Sequence, residues 1–393
     1  MPTIPETWLE GPVASLPDPV PAIALLLISN EGLPVTLLRT YHQIPRDSLM
    51  WAQDPGARIE QGPKVSVLER ATAYPSGWGT THKPADVSVI IPTMGDPWRL
   101  EPLLSSLQPV IATLREVLVV VNGAPLEPVV KRVQRVTSDP RVRVLVSAPG
   151  LSVARNVGMT QARGEYCALL DDDVLVGPTW RSGIDRAVAT HPTADVFTGS
   201  VIATPAQSPA QFWFEIVGGF RKGFDELVVD GRELSRGQAL VNASRIGTGA
   251  VMVLRNDSGL AFSEQLGAGT AARGGEDLDV VVCALVRGRT VVFAPDMLVR
   301  HPAPVDWPAL RRQSFEYGRG LTALAAHQIV TGGVPLSQLL TQAPSALRTV
   351  AGRSGYASDA KERFPASYRA REAAGLLVGG LDYARSRWRG RRS

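Results

Sequence analysis

Leu169-Leu170-Asp171-Asp172-Asp173-Val174 constrains this chain more than any other stretch, because an apolar run stops abruptly in three adjacent carboxylates. Tyr166 to Leu170 reads as a strand filling the middle of a parallel sheet. Ligands of open α/β sheets bind at the edge where such strands end. Three neighbouring carboxylates repel one another and lose hydration on packing, a cost that a hard divalent cation bridging to phosphate oxygens offsets. A solvated turn capping the next helix through Asp173 is the plainer reading of the same residues.

With 393 residues, the chain can form one large α/β domain with appendages or two domains. The net charge of +4 is small but uneven, since the stretch from Lys361 ends in Arg385, Arg387, Arg389, Arg391 and Arg392. Such a tail suits lipid headgroups or nucleic acid, and a solvated end suits it as well. Cys167 and Cys283 both sit in apolar stretches, as small core residues do, and a reducing compartment fits them. The N-terminus lacks a basic region before an apolar core, so no signal peptide is read. Ala22–Ile28 and Ala373–Leu381 are both too short to span a bilayer.

Residues 1–84 read as a small β-rich extension, with Ala22–Ile28 and Val35–Arg39 as a strand pair. Tyr41, His42 and Trp51 could touch a substrate there, although ordinary packing explains them. Tyr74 to Pro84 has the composition of a linker. Residues 85–305 then alternate strand and helix: Val87–Thr93, a helix Pro97–Leu107, Val117–Val121, Val142–Val146, and a helix Ser152–Ala162 with Ser152 as its cap. That alternation predicts a parallel sheet with right-handed crossovers, its ligand edge at Thr93, Asn122 and Asp171. Thr204 to Arg245 holds Phe212, Trp213, Phe214, Phe220 and Phe224, as either a lid or a helix with core aromatics. Ile246–Leu254 and Thr290–Ala294 read as further strands, and Arg273-Gly-Gly-Glu-Asp-Leu-Asp279 opens a helix between them.

In this order the pieces Val87–Thr93, Gly150-Leu-Ser-Val-Ala-Arg-Asn-Val-Gly158, Leu170–Val174, Gly274–Asp279 and Pro295–His301 resemble glycosyltransferase family 2, over roughly Asp86 to Pro302. The resemblance implies a GT-A fold: a Rossmann-like, mostly parallel central sheet flanked by helices. It also implies an inverting transfer of one sugar from a nucleoside-diphosphate sugar to a hydroxyl acceptor, in cell-envelope polysaccharide, glycolipid or secondary-metabolite synthesis. Pro92, Thr93, Asn122, Arg155, Asn156, Asp171 and Asp172 then fall at the donor nucleotide and sugar. Asp173 and His301 fall at a Mg2+ or Mn2+ ion. Asp277 falls to the general base and Glu276 to orienting the acceptor. Charging a helix N-terminus, favourable in any protein, is the plainer but lesser reading of the last pair.

Two departures qualify the resemblance. Many members carry an acidic residue at the end of the second strand, where this chain has Asn122, so the donor base stays open. The Gln/Arg-x-x-Arg-Trp signature of processive synthases is absent, since Arg311-Arg-Gln-Ser-Phe-Glu-Tyr-Gly-Arg319 lacks the tryptophan. A nucleotidyltransferase would want a Gly-rich basic loop after the first strand, and Pro92–Arg99 holds one glycine. A non-catalytic scaffold of the same fold would have no need of Glu276 and Asp277.

Residues 306–393 read as a helical, basic region. Arg311, Arg312, Tyr317 and Arg319 lie close enough to offer cations to a diphosphate, and a solvated basic face explains them too. Leu336–Val350 and Ala366–Arg389 form amphipathic patterns, with Trp388 among arginines. The expectation is a cytoplasmic protein, attached peripherally to the inner membrane face, where a lipid-linked acceptor would be met. Nucleic acid is not expected as a partner.

Overall fold

The structure, a computed structural model, is described for residues 7–21, 24–31, 33–40, 46–54, 65–216, 218–342 and 366–390. Tyr41, His42, positions 343–365, Arg391 and Arg392 lie outside these residues, as does the side chain of Trp51.

Strands β1 (Thr7–Gly11), β2 (Ala24–Asn30), β3 (Leu33–Thr40) and β4 (Val65–Arg70) form a four-stranded sheet in that order. The expected hairpin is present, tighter than its loop composition suggested, with Asn30 paired to Leu33. Alternation along β2 and β3 buries both faces. Leu26, Ile28 and Leu38 pack on Val13, Leu16 and Leu49. Leu27, Val35 and Leu37 pack on Ile202, Phe212, Phe224 and Leu298 of the larger domain.

The segment read as a linker is fastened rather than free. Asp225 accepts from the backbone amides of Thr72 and Ala73, Arg186 donates to the Ser76 carbonyl, and Asp185 accepts from Ala85 N. Arg186 is itself held by a two-pronged bond to buried Asp296 and by Glu226.

From there the chain alternates as expected through β5 (Val87–Thr93), α1 (Pro97–Leu107), β6 (Glu116–Asn122), α2 (Leu126–Val136), β7 (Val142–Ser147), α3 (Leu151–Gln161) and β8 (Tyr166–Leu170). It continues through β9 (Leu175–Val176), α4 (Trp180–Thr190), β10 (Val196–Ala203), α5 (Pro209–Ile216), β11 (Leu227–Asp230), α6 (Arg236–Ile246) and β12 (Val251–Arg255). Helix α7 (Glu276–Val286), β13 (Thr290–His301), α8 (Trp307–Val330) and α9 (Ala366–Gly390) complete it. The central sheet runs β11-β13-β10-β12-β8-β5-β6-β7, with β9 paired to β13. Six of its strands share one direction, and β9, β11 and β12 oppose them.

Helices cover both faces, so the strands are apolar throughout. Val87, Val89 and Ile91 of β5 meet Leu100 and Leu104 of α1 on one side. Ile90 points the other way, in a cluster with Ala154 of α3, Ala243 of α6, Val280 of α7 and Leu324 of α8. Successive strands step from β5 to β6 to β7, and β8 then returns to the opposite flank of β5. The resulting switch point opens a crevice beyond the ends of β5 and β8, at Thr93 and Asp171.

Two local differences from the sequence reading have simple causes, and one of its two alternatives for the aromatic segment is the one observed. Gly150, at φ +132, caps α3, while Ser152 lies inside the helix and donates to the Leu266 carbonyl. Strand β13 passes Pro295 and ends at His301 itself, because a register shift opposite Gly199–Val201 absorbs the irregularity. The aromatics of Thr204–Arg245 are mainly core: Phe212, Trp213, Phe214 and Phe224 are buried.

Helices α8 and α9 run in the same direction, in backbone contact at glycines. A Cβ on Gly318 would fall 2.1 Å from the Glu372 carbonyl oxygen, one on Gly375 2.1 Å from that of Phe315, and one on Gly379 2.0 Å from that of Arg319. No helix among the described residues is long and apolar enough to cross a membrane. Replacing Gly379 by alanine should force α9 off α8 and cost roughly 1–3 kcal/mol, read as a lower urea midpoint with early proteolysis within α9.

Candidate functional site

At the switch point, strand ends and one helix start bring distant residues together. Asp171 follows directly on β8, and Asp172 and Asp173 continue in the turn. His301 arrives at the end of β13. Glu276 and Asp277 occupy the first turn of α7, whose preceding residue, Gly275, has φ +90 and packs on the Gly320 backbone of α8. A side chain at Gly275 would meet the Gly320 carbonyl oxygen at 2.8 Å, so the backbone conformation and the close approach both require glycine.

Arg155 joins the two groups of carboxylates. It is 1% exposed, and its guanidinium donates to Asp171 Oδ1 at 2.7 Å, to Glu276 Oε1 at 3.0 Å and to the Gly249 carbonyl at 3.2 Å. Its charged end also lies 5.0 Å from the centre of the Phe262 ring. Burial opposes the charge, but Asp171, Glu276 and Asp277 outweigh it and hold the Arg155 pKa above its ordinary value. Glu276 is only 7% exposed, and burial followed by the neighbouring Asp277 charge pushes its carboxyl up to about 7. Burial likewise raises Asp171 and Asp172.

Asp171, Asp173 and His301 present ligand atoms all within 4.8 Å of one another. His301 Nδ1 lies 2.9 Å from the Pro302 carbonyl, which can only accept, so Nδ1 donates and Nε2 is the nitrogen that faces the carboxylates. That Nε2 is 3.3 Å from Asp173 Oδ1. Two carboxylates and an imidazole this close make a donor set of oxygen and nitrogen that fits Mn2+ or Mg2+.

The other expected residues divide into those at the edge and those used to build it. Thr93 donates to Asp172 Oδ2 at 2.6 Å and accepts from Gly95 N, so Asp172 fixes the loop after β5. Asn122 donates to the Thr93 carbonyl at 3.2 Å and its amide oxygen faces Gly150 N, tying β6 to β5 and to the start of α3. Pro92 is buried within β5, opposite Val120. Asn156 is not brought to the site: both ends of its amide are used on the Phe262 backbone. Arg319 is likewise spent elsewhere, on Asp382 of α9 at 2.7 Å.

Three contributors went unread in the sequence. Arg99 of α1 reaches Asp173 at 3.0 Å and Asp172 at 3.7 Å, placing an exposed cation over the carboxylates. Phe220 lies 4.7 Å from the His301 ring and packs edge-on against Phe214, forming a wall. Gly249 lets Asp277 approach, since a Cβ there would meet Asp277 Oδ2 at 3.2 Å and Arg155 Nη2 at 3.3 Å. Arg99 in the first turn of α1 and the aromatic run around Phe220 were the available signals.

Residues 88–225 match the profile of Glycosyl transferase family 2. No curated protein matches the chain. Among solved structures, the chain is similar to the mannosyltransferase PcManGT from Pyrobaculum calidifontis in complex with GDP-Man and Mn2+, at 18% identity over 78% of this chain and 90% of that one, with a TM-score of 0.46. It is also similar to S. aureus TarS 1-349, at 16% identity over 76% of this chain and 91% of that one, with a TM-score of 0.41.

Replacing Arg155 by leucine leaves Asp171 and Glu276 without their shared cation, and should cost about 3–5 kcal/mol in denaturant unfolding. Adding Glu276→Gln should recover part of that loss. Because the folded carboxyl of Glu276 titrates near 7 instead of 4.5, the native state binds more protons than the unfolded one between those values. Its contribution to stability therefore declines as pH rises through that window. The melting temperature of Glu276→Gln, measured against the parent, should shift in the variant's favour from pH 4.5 to 7.

Proposed function

Starting from a chain that belongs, over residues 88–225, to glycosyl transferase family 2, we propose that the protein transfers a single sugar from a nucleoside-diphosphate sugar to a hydroxyl acceptor, with inversion at the anomeric carbon and with a divalent cation. The observation that carries this reading is the meeting of Asp171, Asp173 and His301 at the switch point, with Arg155 linking them to the acidic start of α7.

In this reading Asp173 and His301 hold Mg2+ or Mn2+, and Asp171 faces the ribose or the donor sugar. When bound, the cation supplies Lewis acidity toward the departing nucleoside diphosphate. Thr93 and Asn122, at the ends of β5 and β6, border the space for the base, with the Asn122 amide bracing the Thr93 carbonyl and the start of α3.

Asp277 takes the proton of the acceptor hydroxyl as that oxygen attacks from the face opposite the leaving phosphate. Its carboxylate is half-buried beside Gly249, whereas Glu276 is directed inward onto Arg155. Glu276 thus orients Arg155, and through it Asp171, and serves the acceptor side from behind Asp277. A single displacement assisted by one carboxylate inverts the configuration.

The test is release of nucleoside diphosphate from UDP-, GDP- and dTDP-sugars, with manganese or magnesium and with chelator. Release from one donor should disappear on chelation and in Asp173→Asn. Asp277→Asn should retain metal-dependent donor binding by calorimetry but lose transfer to the acceptor by about 10²–10⁴-fold. No release from any donor, together with no metal-dependent binding of any nucleoside diphosphate, would leave a non-catalytic scaffold as the better description.

A further inference from the structure

Helix α9 is turned inside out relative to an ordinary surface helix. Its inner face carries Gly375, Gly379, Asp382 and Ser386, all buried against α8 and the loop before α7. Its outer face is apolar: Leu377 is 82% exposed, Leu381 63% and Trp388 56%. With Ala370, Ala373 and Ala384, also exposed, these side chains fall within about 80° of the helix circumference, a continuous stripe. Exposed leucine and tryptophan aligned in this way mark a contact surface.

Charge tells what covers it. Among the described side chains of α9, the exposed charges are Arg371 and Arg385, both cationic. Of the helix's two acids, Asp382 is 5% exposed and held by Arg319 and Arg385, and Glu372 is half-buried about 140° around the helix from Leu377. Beyond Trp388 the sequence adds Arg389, Arg391 and Arg392. An apolar stripe with tryptophan toward one end, arginines beside it and no exposed acid has the composition of a helix lying in a lipid interface.

We propose that the outer face of α9 docks on an anionic bilayer surface, with Leu377, Leu381 and Trp388 entering the headgroup boundary and the arginines meeting lipid phosphates. The inner face grips the loop leading to Glu276 and Asp277: Tyr383 donates to Gln265 at 3.1 Å, and Ser386 accepts from Ala272 N at 3.2 Å. Docking therefore brings the loop that leads to Glu276 and Asp277 to the lipid side of the protein, with only α9 between Gln265, Ala272 and the surface. Resting on the glycosyl-transfer reading, this selects a lipid-linked hydroxyl as the acceptor class.

Co-sedimentation of the full chain with vesicles tests the surface without reference to activity. The parent should bind equal-part phosphatidylcholine and phosphatidylglycerol vesicles, bind phosphatidylcholine alone far less, and lose binding as salt rises. Leu377→Glu with Leu381→Glu should reduce partitioning about tenfold or more. Arg371→Gln and Arg385→Gln should each reduce it roughly fivefold at low salt. Because Leu377, Leu381 and Arg371 are exposed, their variants should keep the parent's melting temperature and its release of nucleoside diphosphate, which separates failure of docking from failure of the transfer reading; Arg385→Gln also takes one of two cations from buried Asp382, so its partitioning is compared at a temperature where its own melting curve shows it folded. The proposal is overturned if the parent does not bind anionic vesicles, or if the glutamate pair binds as well as the parent. A concentration-dependent dimer that the glutamate pair abolishes, without vesicle binding, would give the face to a second copy instead.

Discussion

A single buried guanidinium makes this site possible. Asp171, Glu276 and Asp277 approach one another from β8 and α7, elements more than a hundred residues apart in sequence, and without a cation between them their repulsion would push α7 away from the sheet. Arg155, on α3, faces the reverse problem, since a buried arginine without carboxylates would have no place in a core. Each side makes the other tolerable. The position of α7 over the end of the sheet thus follows from electrostatics as well as from the apolar packing of Val280 and Val281 beneath it.

The arrangement also divides labour among the acids. Glu276 and Asp171 spend oxygens on Arg155, while Asp173, further from it, meets Arg99 and His301 at the edge, and Asp277 lies beside Gly249. Behind α7 a second polar chain fixes the same helix from the other side: Gln328 donates to Asp279 at 2.6 Å, and His327 of α8 meets Tyr383 of α9 at 3.1 Å. Helix α8 therefore acts as a spine, touching Gly274 and Gly275 with its Gly320 and α9 with its Gly318.

Much of the fold was legible because strands buried on both faces leave unmistakable apolar runs, and β5, β6 and β8 lie where those runs predicted. The same property hid the reversal of β12: a buried strand reads alike in either direction, and only its neighbours β8 and β10 reveal the opposite sense. The carboxylates of the site and His301 were legible as residues at strand ends and at a helix start. Their partners were not. That Arg155 bonds Asp171 and Glu276, and that Asn156 holds Phe262, are facts of tertiary contact that local pattern does not carry. The glycines of α8 and α9 looked like interruptions of weak helices, whereas they are the points where two backbones touch.

The grip of α9 on the loop before α7 has a consequence for the order of events in synthesis. Residues 366–390 leave the ribosome after everything that forms the sheet, and they supply the Tyr383 and Ser386 contacts that hold Gln265 and Ala272. A nascent chain can thus assemble its central sheet and its carboxylate edge while the loop before α7 still lacks the support of α9. Completion of the site is timed to the emergence of the same helix that carries the exposed leucines, so the protein acquires its fully braced loop and its apolar outer face in one step.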